Sequence, residues 1–291
     1  MNKKLLAPHG LKWNPFSPQV PVEALYVTPP VERFCWRVEH HLAREGGFAL
    51  VTGEPGTGKS VALRVLADRL AGLRDVQLGI LTRPQSGLAD FYRELGDLYG
   101  VALSPHHRWA GTKVLRERWQ AHVETALSRP VLIVDEAQEM PPPVLNELRL
   151  LSSVELDSRL LLTVVLAGDA RLTATFRRDD LLPLGSRIRV RLALEAAPAA
   201  QLAACLHHVL EAAGNRRLMT DALITTLADH AAGNHRVLMM LAAELLTAAA
   251  QRDRARLDEQ LYFEVFAAAT TRAPAAAEEP PRRRRAPQAQ R

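Results

Sequence analysis

The hydrophobic pattern predicts alternating strands and helices over the first two thirds of the chain. Four short apolar runs are typical of strands buried on both faces, at 48–51, 78–81, 131–134 and 160–167. The segment after the first run repeats apolar residues at helical spacing, and Gly72 is placed to end that helix. This alternation predicts an α/β fold with a parallel sheet flanked by crossover helices.

After Pro198 the pattern becomes almost wholly helical. Helical repeats are predicted at 199–212, 220–231, 235–251 and near 256–268. The predicted organisation is an N-terminal segment 1–45, an α/β domain 46–195, a small all-helical lid domain 196–268 and a tail 269–291 rich in Arg, Pro and Ala. The tail cannot bury enough apolar surface to order itself, so we expect it to be disordered.

The link between the first predicted strand and its helix carries the strongest chemical signal. Its residues are Gly53, Glu54, Pro55, Gly56, Thr57, Gly58, Lys59, Ser60 and Val61. Strand, glycine-rich loop and helix in this order are typical of a loop that binds polyphosphate through backbone N–H groups. We expect Lys59 to reach the outer phosphates and the Ser60 hydroxyl to hold Mg²⁺, so ATP and Mg²⁺ are the predicted cofactors.

An acidic pair ends the third predicted strand. Asp135 and Glu136 follow the apolar run 131–134 directly. Ligands of open parallel sheets bind at the carboxyl ends of the strands, so Asp135 is predicted to join Ser60 around Mg²⁺. Glu136 is suited to polarise water for attack on the γ-phosphate, which favours hydrolysis over transfer to another substrate.

Three further residues are candidates for the same site. Asp169 ends the fourth predicted strand, where a polar side chain orients water near the γ-phosphate or simply begins the next helix. Arg187 lies in the alternating basic and apolar segment 184–191, which is predicted to be strand-like. This arginine is expected either to contact a phosphate in its own site or a neighbour's, or to belong to a solvated edge strand. Arg236 begins a predicted helix and could turn back toward the nucleotide.

Composition and charge further limit the class of protein that this sequence can encode. The net charge is +5, and 272–291 contributes six arginines against two glutamates, so the predicted folded body is nearly neutral. The two cysteines, Cys35 and Cys205, lie far apart without a metal-ligand pattern and are expected to be reduced and buried. Neither a membrane-spanning run nor a signal peptide is recognisable, so a cytoplasmic location without membrane contact is expected.

With these residues in hand, the chain resembles the AAA+ ATPases of the ExeA type, with an ORC/DEAH-like AAA domain. These are relatives of the origin-recognition ATPases and of transposition helpers such as TniB, TnsC and IstB. The resemblance covers about residues 10–270. It implies catalysis by Glu136, adenine contact near Asn14 and Phe16, and a first-sensor role for Asp169, where the family usually has Gln. It further implies that Arg187 reaches a neighbour's nucleotide and that Arg236 is the lid arginine, although His235 stands where the family commonly has proline.

The secretion proteins of this type continue into a membrane segment and a cell-wall-binding domain, whereas this chain ends earlier and looks like the helpers that accompany transposases. The resemblance therefore implies ATP-dependent homo-oligomerisation, as a ring or filament, on duplex DNA held through its phosphates, with a transposase as partner. His106, His107, Arg108, Trp109 and Lys113, followed by Arg116 and Arg118, are the candidate DNA contacts; alternatively they cap and pack a helix, with Trp109 and Trp119 in the core. Two other functions remain open: an ATP-switched scaffold of secretion or signalling type without DNA, and a phosphotransferase.

Overall fold

A five-stranded parallel sheet forms the centre of the part of the chain described by the computed structural model, which comprises residues 6–101, 108–125, 128–154 and 159–267. The strands are β1 (Gly47–Gly53), β2 (Val76–Leu81), β3 (Arg129–Val134), β6 (Thr163–Gly168) and β7 (Ile188–Leu194). A short antiparallel pair is formed by β4 (Ser153–Val154) and β5 (Arg159–Leu160). The sheet order is β2-β3-β6-β1-β7, so β1 lies between β6 and the edge strand β7.

Helices connect and flank these strands. In chain order they are α1 (Pro29–Arg37), α2 (Lys59–Ala71), α3 (Leu88–Tyr99), α4 (Arg108–Thr125), α5 (Pro142–Ser152), α6 (Ala170–Thr175), α7 (Leu182–Gly185), α8 (Ala199–Ala213), α9 (Asp221–His230), α10 (His235–Gln251) and α11 (Glu259–Tyr262). A π-helical turn, Val38–Leu42, extends α1 and is followed by a short helical turn, Ala43–Glu45. Another π-helical turn, Phe263–Ala267, extends α11. The predicted α/β sheet followed by helices is confirmed.

Apolar side chains cover both faces of the sheet. On one face, helices α3, α4 and α5 bury a cluster around Leu132 and Trp119. Trp119 is fully buried, as the packing alternative for this helix predicts. On the other face, α1 and α2 pack against Ala49 and Val51 of β1. Because β1 is buried on both sides, its sequence is a continuous apolar run rather than an alternating one.

The helices after Pro198 share a separate core. Leu202, Leu223 and Leu245 are fully buried there, and Leu11 and Phe16 of the N-terminal segment pack into the same cluster. We call this region, residues 199–267, the lid. The division of the chain at 45/46, 195/196 and 268/269 stays a prediction.

Two predicted strand boundaries are wrong. The run 160–167 is divided, because Leu160 pairs with Ser153 in the short antiparallel ladder while the central strand begins at Thr163. The segment 184–191 is strand only from Ile188, because a helical turn, α7, with proline in its first turn occupies Leu182–Gly185.

Candidate functional site

The phosphate loop connects β1 to α2 as the sequence predicts. Gly56 and Gly58 both adopt positive φ, at 87° and 104°, a conformation that side chains other than glycine rarely take. The Lys59 ammonium group donates to the carbonyl oxygens of Gly53 and Glu54, at 2.8 and 3.2 Å. The loop therefore curls around its own lysine, which is only 6% exposed.

The acidic pair meets the loop at the carboxyl edge of the sheet. The Ser60 hydroxyl donates to the Asp135 Oδ2 oxygen at 2.8 Å. The other carboxylate oxygen of Asp135 accepts from the backbone N–H of Glu136 at 2.9 Å. Glu136 has φ of 52°, a left-handed conformation that is uncommon without glycine and is found at functional sites. Both predicted Mg²⁺ ligands are thus in contact.

A cavity of about 900 Å³ opens above the loop, between the sheet and the lid. Its polar end is lined by Gly56, Thr57, Gly58, Lys59, Ser60, Val61, Glu136 and Arg236. Its other end is apolar and includes Phe16, Tyr26 and Met239. The other three loop residues, Gly53, Glu54 and Pro55, line an adjoining cavity of about 700 Å³.

The N-terminal segment closes the apolar end of the larger cavity. Asn14 does not line this cavity; its side chain accepts from the backbone N–H of Phe16 at 3.0 Å and so shapes the turn that presents Phe16. The Arg64 guanidinium group, on α2, donates to the carbonyl oxygens of Pro18 and Val20 at 3.0 and 2.7 Å. Arg64 therefore ties this segment to the helix that follows the phosphate loop.

Asp169 acts as the N-cap of α6. Its carboxylate accepts from the backbone N–H of Arg171 at 2.9 Å and forms an ion pair with the same side chain at 2.8 Å. Hydrogen bonding from Arg171 holds the pKa of Asp169 below its usual value. Gln138 bridges this strand end and the acidic pair, since its amide donates to the Glu136 carboxylate and accepts from the Asp169 backbone N–H. Asp169 thus connects to the site through Gln138.

The first turn of α10 brings the lid against the phosphate loop. The Asn234 side chain donates to the Pro55 carbonyl oxygen at 3.0 Å, and the His235 backbone N–H donates to the Gly56 carbonyl oxygen at 3.0 Å. Arg236 follows and lines the cavity. His235 lines it as well. Its buried Nδ1 atom has no hydrogen-bond partner among the described residues, and burial lowers the pKa of this side chain.

Arg187 lies apart from the other predicted site residues. It immediately precedes β7, whose first residue, Ile188, pairs with Phe48 at the start of β1. The phosphate loop begins at the opposite end of β1, where Gly53 pairs with Leu194. Six residues of strand, at about 3.3 Å each, separate the two ends by roughly 20 Å. The Arg187 side chain donates to the Pro183 carbonyl oxygen at 2.6 Å, away from its own loop.

The predicted DNA-contact region is only partly described. His106 and His107 lie outside the described residues, as do the side chains of Arg108 and Trp109. Lys113 is exposed and lies 3.7 Å from Glu117. Arg116 donates to two backbone carbonyl oxygens, of Leu150 and Ser153, and so fastens α4 to the end of α5. Arg118 is exposed.

Sequence reasoning gave no role to Asn234, Gln138 or Arg64. Asn234 carries a recognisable signal, because Asn directly before a helical repeat is a common N-cap. Its contact with the loop is a tertiary feature, since 179 residues separate Asn234 from Pro55. Gln138 and Arg64 carry no comparable local signal.

Comparison with known proteins agrees with this geometry. Residues 42–176 match the family model described as an AAA domain. The fold is that of an AAA domain. The general secretion pathway protein A of Aeromonas hydrophila is 30% identical over 247 residues, which cover 84% of this chain and 44% of that protein. The chain thus spans less than half the length of this relative.

Several solved structures have a fold similar to that of this chain. Cdc6p from Pyrobaculum aerophilum superposes with a TM-score of 0.66 at 19% identity, covering 84% of this chain and 67% of that one. The Aeropyrum pernix ORC1 protein in complex with DNA also gives 0.66 at 19% identity, covering 88% and 68%. Drosophila ORC bound to DNA gives 0.67 at 17% identity, covering 92% and 66%. At these identities the likeness shows the fold alone.

None of the described helices is long and apolar enough to cross a membrane.

Cys35 and Cys205 are both buried and free of disulfides, as predicted. Burial raises the pKa of the Cys35 thiol to about 11 and that of Cys205 to about 12.

Proposed function

We propose that this chain binds ATP with Mg²⁺ and hydrolyses it. The observation that carries the proposal is the hydrogen bond of 2.8 Å between the Ser60 hydroxyl and Asp135, beside Lys59 and below a cavity of about 900 Å³. A glycine loop that only shapes a turn does not require a carboxylate from a distant strand. Lysine, hydroxyl and carboxylate around one cavity suit a polyphosphate and its metal ion.

The residues present fit Mg²⁺. This ion prefers oxygen ligands and is usually bound by one or two carboxylates together with substrate phosphates and water. Ser60 and Asp135 offer two such oxygens side by side. Bound Mg²⁺ would neutralise charge on the phosphates.

The remaining groups have separate tasks in hydrolysis. Lys59 would contact the outer phosphates, and the loop N–H groups would surround them. The Glu136 carboxylate would accept the proton of the attacking water, because Glu136 lines the cavity beside Lys59 and Ser60 while the neighbouring Asp135 is engaged by the Ser60 hydroxyl. Arg236 would add positive charge at the lid side of the cavity, where charge builds up on the phosphates during transfer.

We propose further that the site is completed between subunits. Arg187 lies at the far end of β7 from its own phosphate loop, about 20 Å away by strand geometry. A second copy of the chain could present this arginine to a neighbour's γ-phosphate, as arginines supplied in trans do in other phosphate-transfer sites. Oligomerisation as a ring or filament would then be needed for rapid hydrolysis.

Duplex DNA is the proposed nucleic-acid partner, and a transposase is the proposed protein partner. Two of the similar folds are origin-recognition proteins solved with DNA. A basic stripe on the outside of α1 and the two helical turns that follow it, Val38–Leu42 and Ala43–Glu45, also supports phosphate contact. It consists of Arg33, Arg37 and Arg44 with the half-exposed Trp36. Glu32 and Glu45 flank this stripe and are paired with Arg69 and Arg189, and Glu39, which lies within the segment, is half-buried.

The alternative is an ATP-switched scaffold that acts on protein partners without DNA. The observation in its favour is the match to a general secretion pathway protein. The two proposals predict different responses to DNA, since phosphate contacts weaken steeply with salt.

ATP hydrolysis is tested by phosphate release with Mg²⁺, using the wild type and Lys59→Ala. We expect turnover only in the wild type. Label from γ-labelled ATP that appears in any product other than inorganic phosphate would indicate a phosphotransferase instead.

DNA binding is tested by adding duplex DNA at low and high salt. Turnover is followed by phosphate release, and assembly is followed by electron microscopy. The DNA proposal predicts stimulation that fades with salt, and loss of it in Arg33→Glu/Arg37→Glu. ATP-dependent assembly with no effect of DNA in any nucleotide state would favour the scaffold.

A further inference from the structure

Asn234 makes two different sets of hydrogen bonds with the two ends of one amide. Its Oδ1 atom accepts from the backbone N–H groups of Arg236 and Val237, at 3.0 and 3.1 Å, and so caps α10. Its Nδ2 atom donates to the Pro55 carbonyl oxygen at 3.0 Å. A single side chain therefore joins the first turn of the lid helix to the tip of the phosphate loop.

The loop carbonyl groups divide into two pairs according to what binds them. Those of Gly53 and Glu54 accept from within the loop, from the Lys59 ammonium group. Those of Pro55 and Gly56 accept from the lid, from the Asn234 amide and the His235 backbone N–H. The tip of the loop is thus held by α10, while its base is held by the loop itself.

The contact is also tight. A Cβ atom built on Gly56 would lie 2.0 Å from the Asn234 Oδ1 atom, closer than any real contact. At Gly58, two residues on, a Cβ atom would meet nothing within 4 Å. Gly56 is therefore required both by its positive φ and by the amide packed against it.

We propose that Asn234 is a positioning residue that couples the conformation of the phosphate loop to the orientation of the lid. This inference rests on the proposed function, because the coupling matters only if nucleotide binds the loop. When phosphates order the loop tip, the Pro55 carbonyl group fixes the Asn234 amide, and the same amide fixes the start of α10. Arg236, two residues further along, is thereby held at the cavity.

Reciprocity is a consequence of this arrangement. If nucleotide on the loop stabilises the first turn of α10, then an ordered lid must strengthen nucleotide binding by the same factor. A residue that serves only to cap its helix would give no such linkage. The two roles can be separated, because an N-cap needs an acceptor whereas the loop contact needs the amide donor.

The decisive variant is Asn234→Ser. Serine is a good N-cap and is neutral, but it is too short to donate to Pro55. We expect the dissociation constant of a non-hydrolysable ATP analogue to rise about 3- to 10-fold, the effect of losing one neutral hydrogen bond. Asn234→Thr, which also keeps a neutral cap acceptor and is as short as serine, is the second variant should the serine protein fold poorly.

The matched control is Thr220→Ala. Thr220 caps α9 in the same lid through its hydroxyl, which accepts from the Leu223 backbone N–H at 3.1 Å. Among the described residues, Thr220 makes no hydrogen bond to the phosphate loop. We expect this variant to lower the melting temperature while leaving affinity for the analogue unchanged.

The coupling itself is read from amide hydrogen exchange with and without the analogue. In the wild type, the analogue should slow exchange both in the loop with α2 and in the first turn of α10. In Asn234→Ser the protection of α10 should be lost while that of α2 remains. Wild-type affinity or undiminished α10 protection in this variant would overturn the inference, even where ATP hydrolysis is normal. A wild type that binds the analogue and protects α10 but releases no phosphate would instead refute hydrolysis and leave the coupling intact.

Discussion

The hydroxyl oxygen of Ser60 lies 2.8 Å from the Asp135 Oδ2 atom, although 75 residues separate the two. Ser60 lies in the first turn of the helix after β1, Asp135 directly follows β3, and β6 lies between these strands. The contact exists because parallel strands direct all their carboxyl ends to one edge of the sheet. It joins the phosphate loop to the acidic pair in a single site.

Removing the Ser60 hydroxyl should weaken Mg²⁺-dependent turnover. Loss of an outer-sphere partner of a metal ion typically lowers metal affinity by about 10- to 100-fold. In Ser60→Ala we expect the apparent Mg²⁺ affinity to fall by at least this factor. The measurement is phosphate release as a function of Mg²⁺ concentration. Ser60→Thr retains the hydroxyl and is the control; equal losses in both variants would mean that the hydroxyl has no role.

Arg187→Ala should abolish fast hydrolysis without abolishing nucleotide binding. Arginines supplied in trans contribute roughly 10³- to 10⁵-fold to turnover, so the rate should fall by at least about 10³-fold. Arg189→Ala is the matched control, because Arg189 is exposed on β7, two residues after Arg187, and pairs with Glu45 at 2.9 Å.

A mixture tests whether Arg187 acts on a neighbour. Arg187→Ala supplies an intact loop, and Lys59→Ala supplies an intact arginine, so mixed oligomers should recover part of the turnover that each variant lacks. Phosphate release should rise on mixing. A mixture no more active than its separate components would contradict a shared site.

Gly56→Ala should destabilise the protein more than Gly58→Ala. Both substitutions force a side chain into the left-handed region, at a cost of about 1 to 2 kcal/mol. Only Gly56→Ala adds a collision, with Asn234 at 2.0 Å. Thermal unfolding without nucleotide measures the difference. Equal melting temperatures would show that the lid does not press on the loop.

His235 should make stability dependent on pH below neutrality. Burial lowers its pKa in the folded state below 6.5, so the unfolded chain takes up the proton first as the pH falls. The contribution of His235 to the free energy of unfolding is therefore fully present above about pH 6.5 and decreases as the pH falls below that value. The difference between the melting temperatures at about pH 7.5 and about pH 5.5 should be smaller in His235→Gln than in the wild type. Identical differences would exclude His235 as a contributor.

Most of the sheet and the contact between Ser60 and Asp135 could be predicted from the sequence. Apolar runs such as 131–134 are unambiguous because strands buried on both faces need no alternation, and β3 is observed at Arg129–Val134. Ser60 and Asp135 could be paired from topology alone, since both follow strands of one parallel sheet. The position of Phe16 at the cavity agrees with the family resemblance.

What the sequence could not supply depends on tertiary contacts. The amide of Asn234 marks a helix start, but nothing local indicates that its other end binds Pro55. Leu160 fits the hydrophobic pattern of a central strand, yet pairing with Ser153 removes it from the sheet. Asp169 could cap a helix or face the nucleotide, and only the position of Arg171 shows the cap.

The most direct test of ATP hydrolysis at this site is single-turnover phosphate release by Glu136→Gln. Glutamine preserves size and hydrogen bonding but cannot accept the proton from water, so the rate should fall about 10²- to 10⁴-fold while ATP affinity stays at the wild-type value. Wild-type turnover by Glu136→Gln, measured with Lys59→Ala inactive in parallel, would contradict the assignment of Glu136 as the catalytic base.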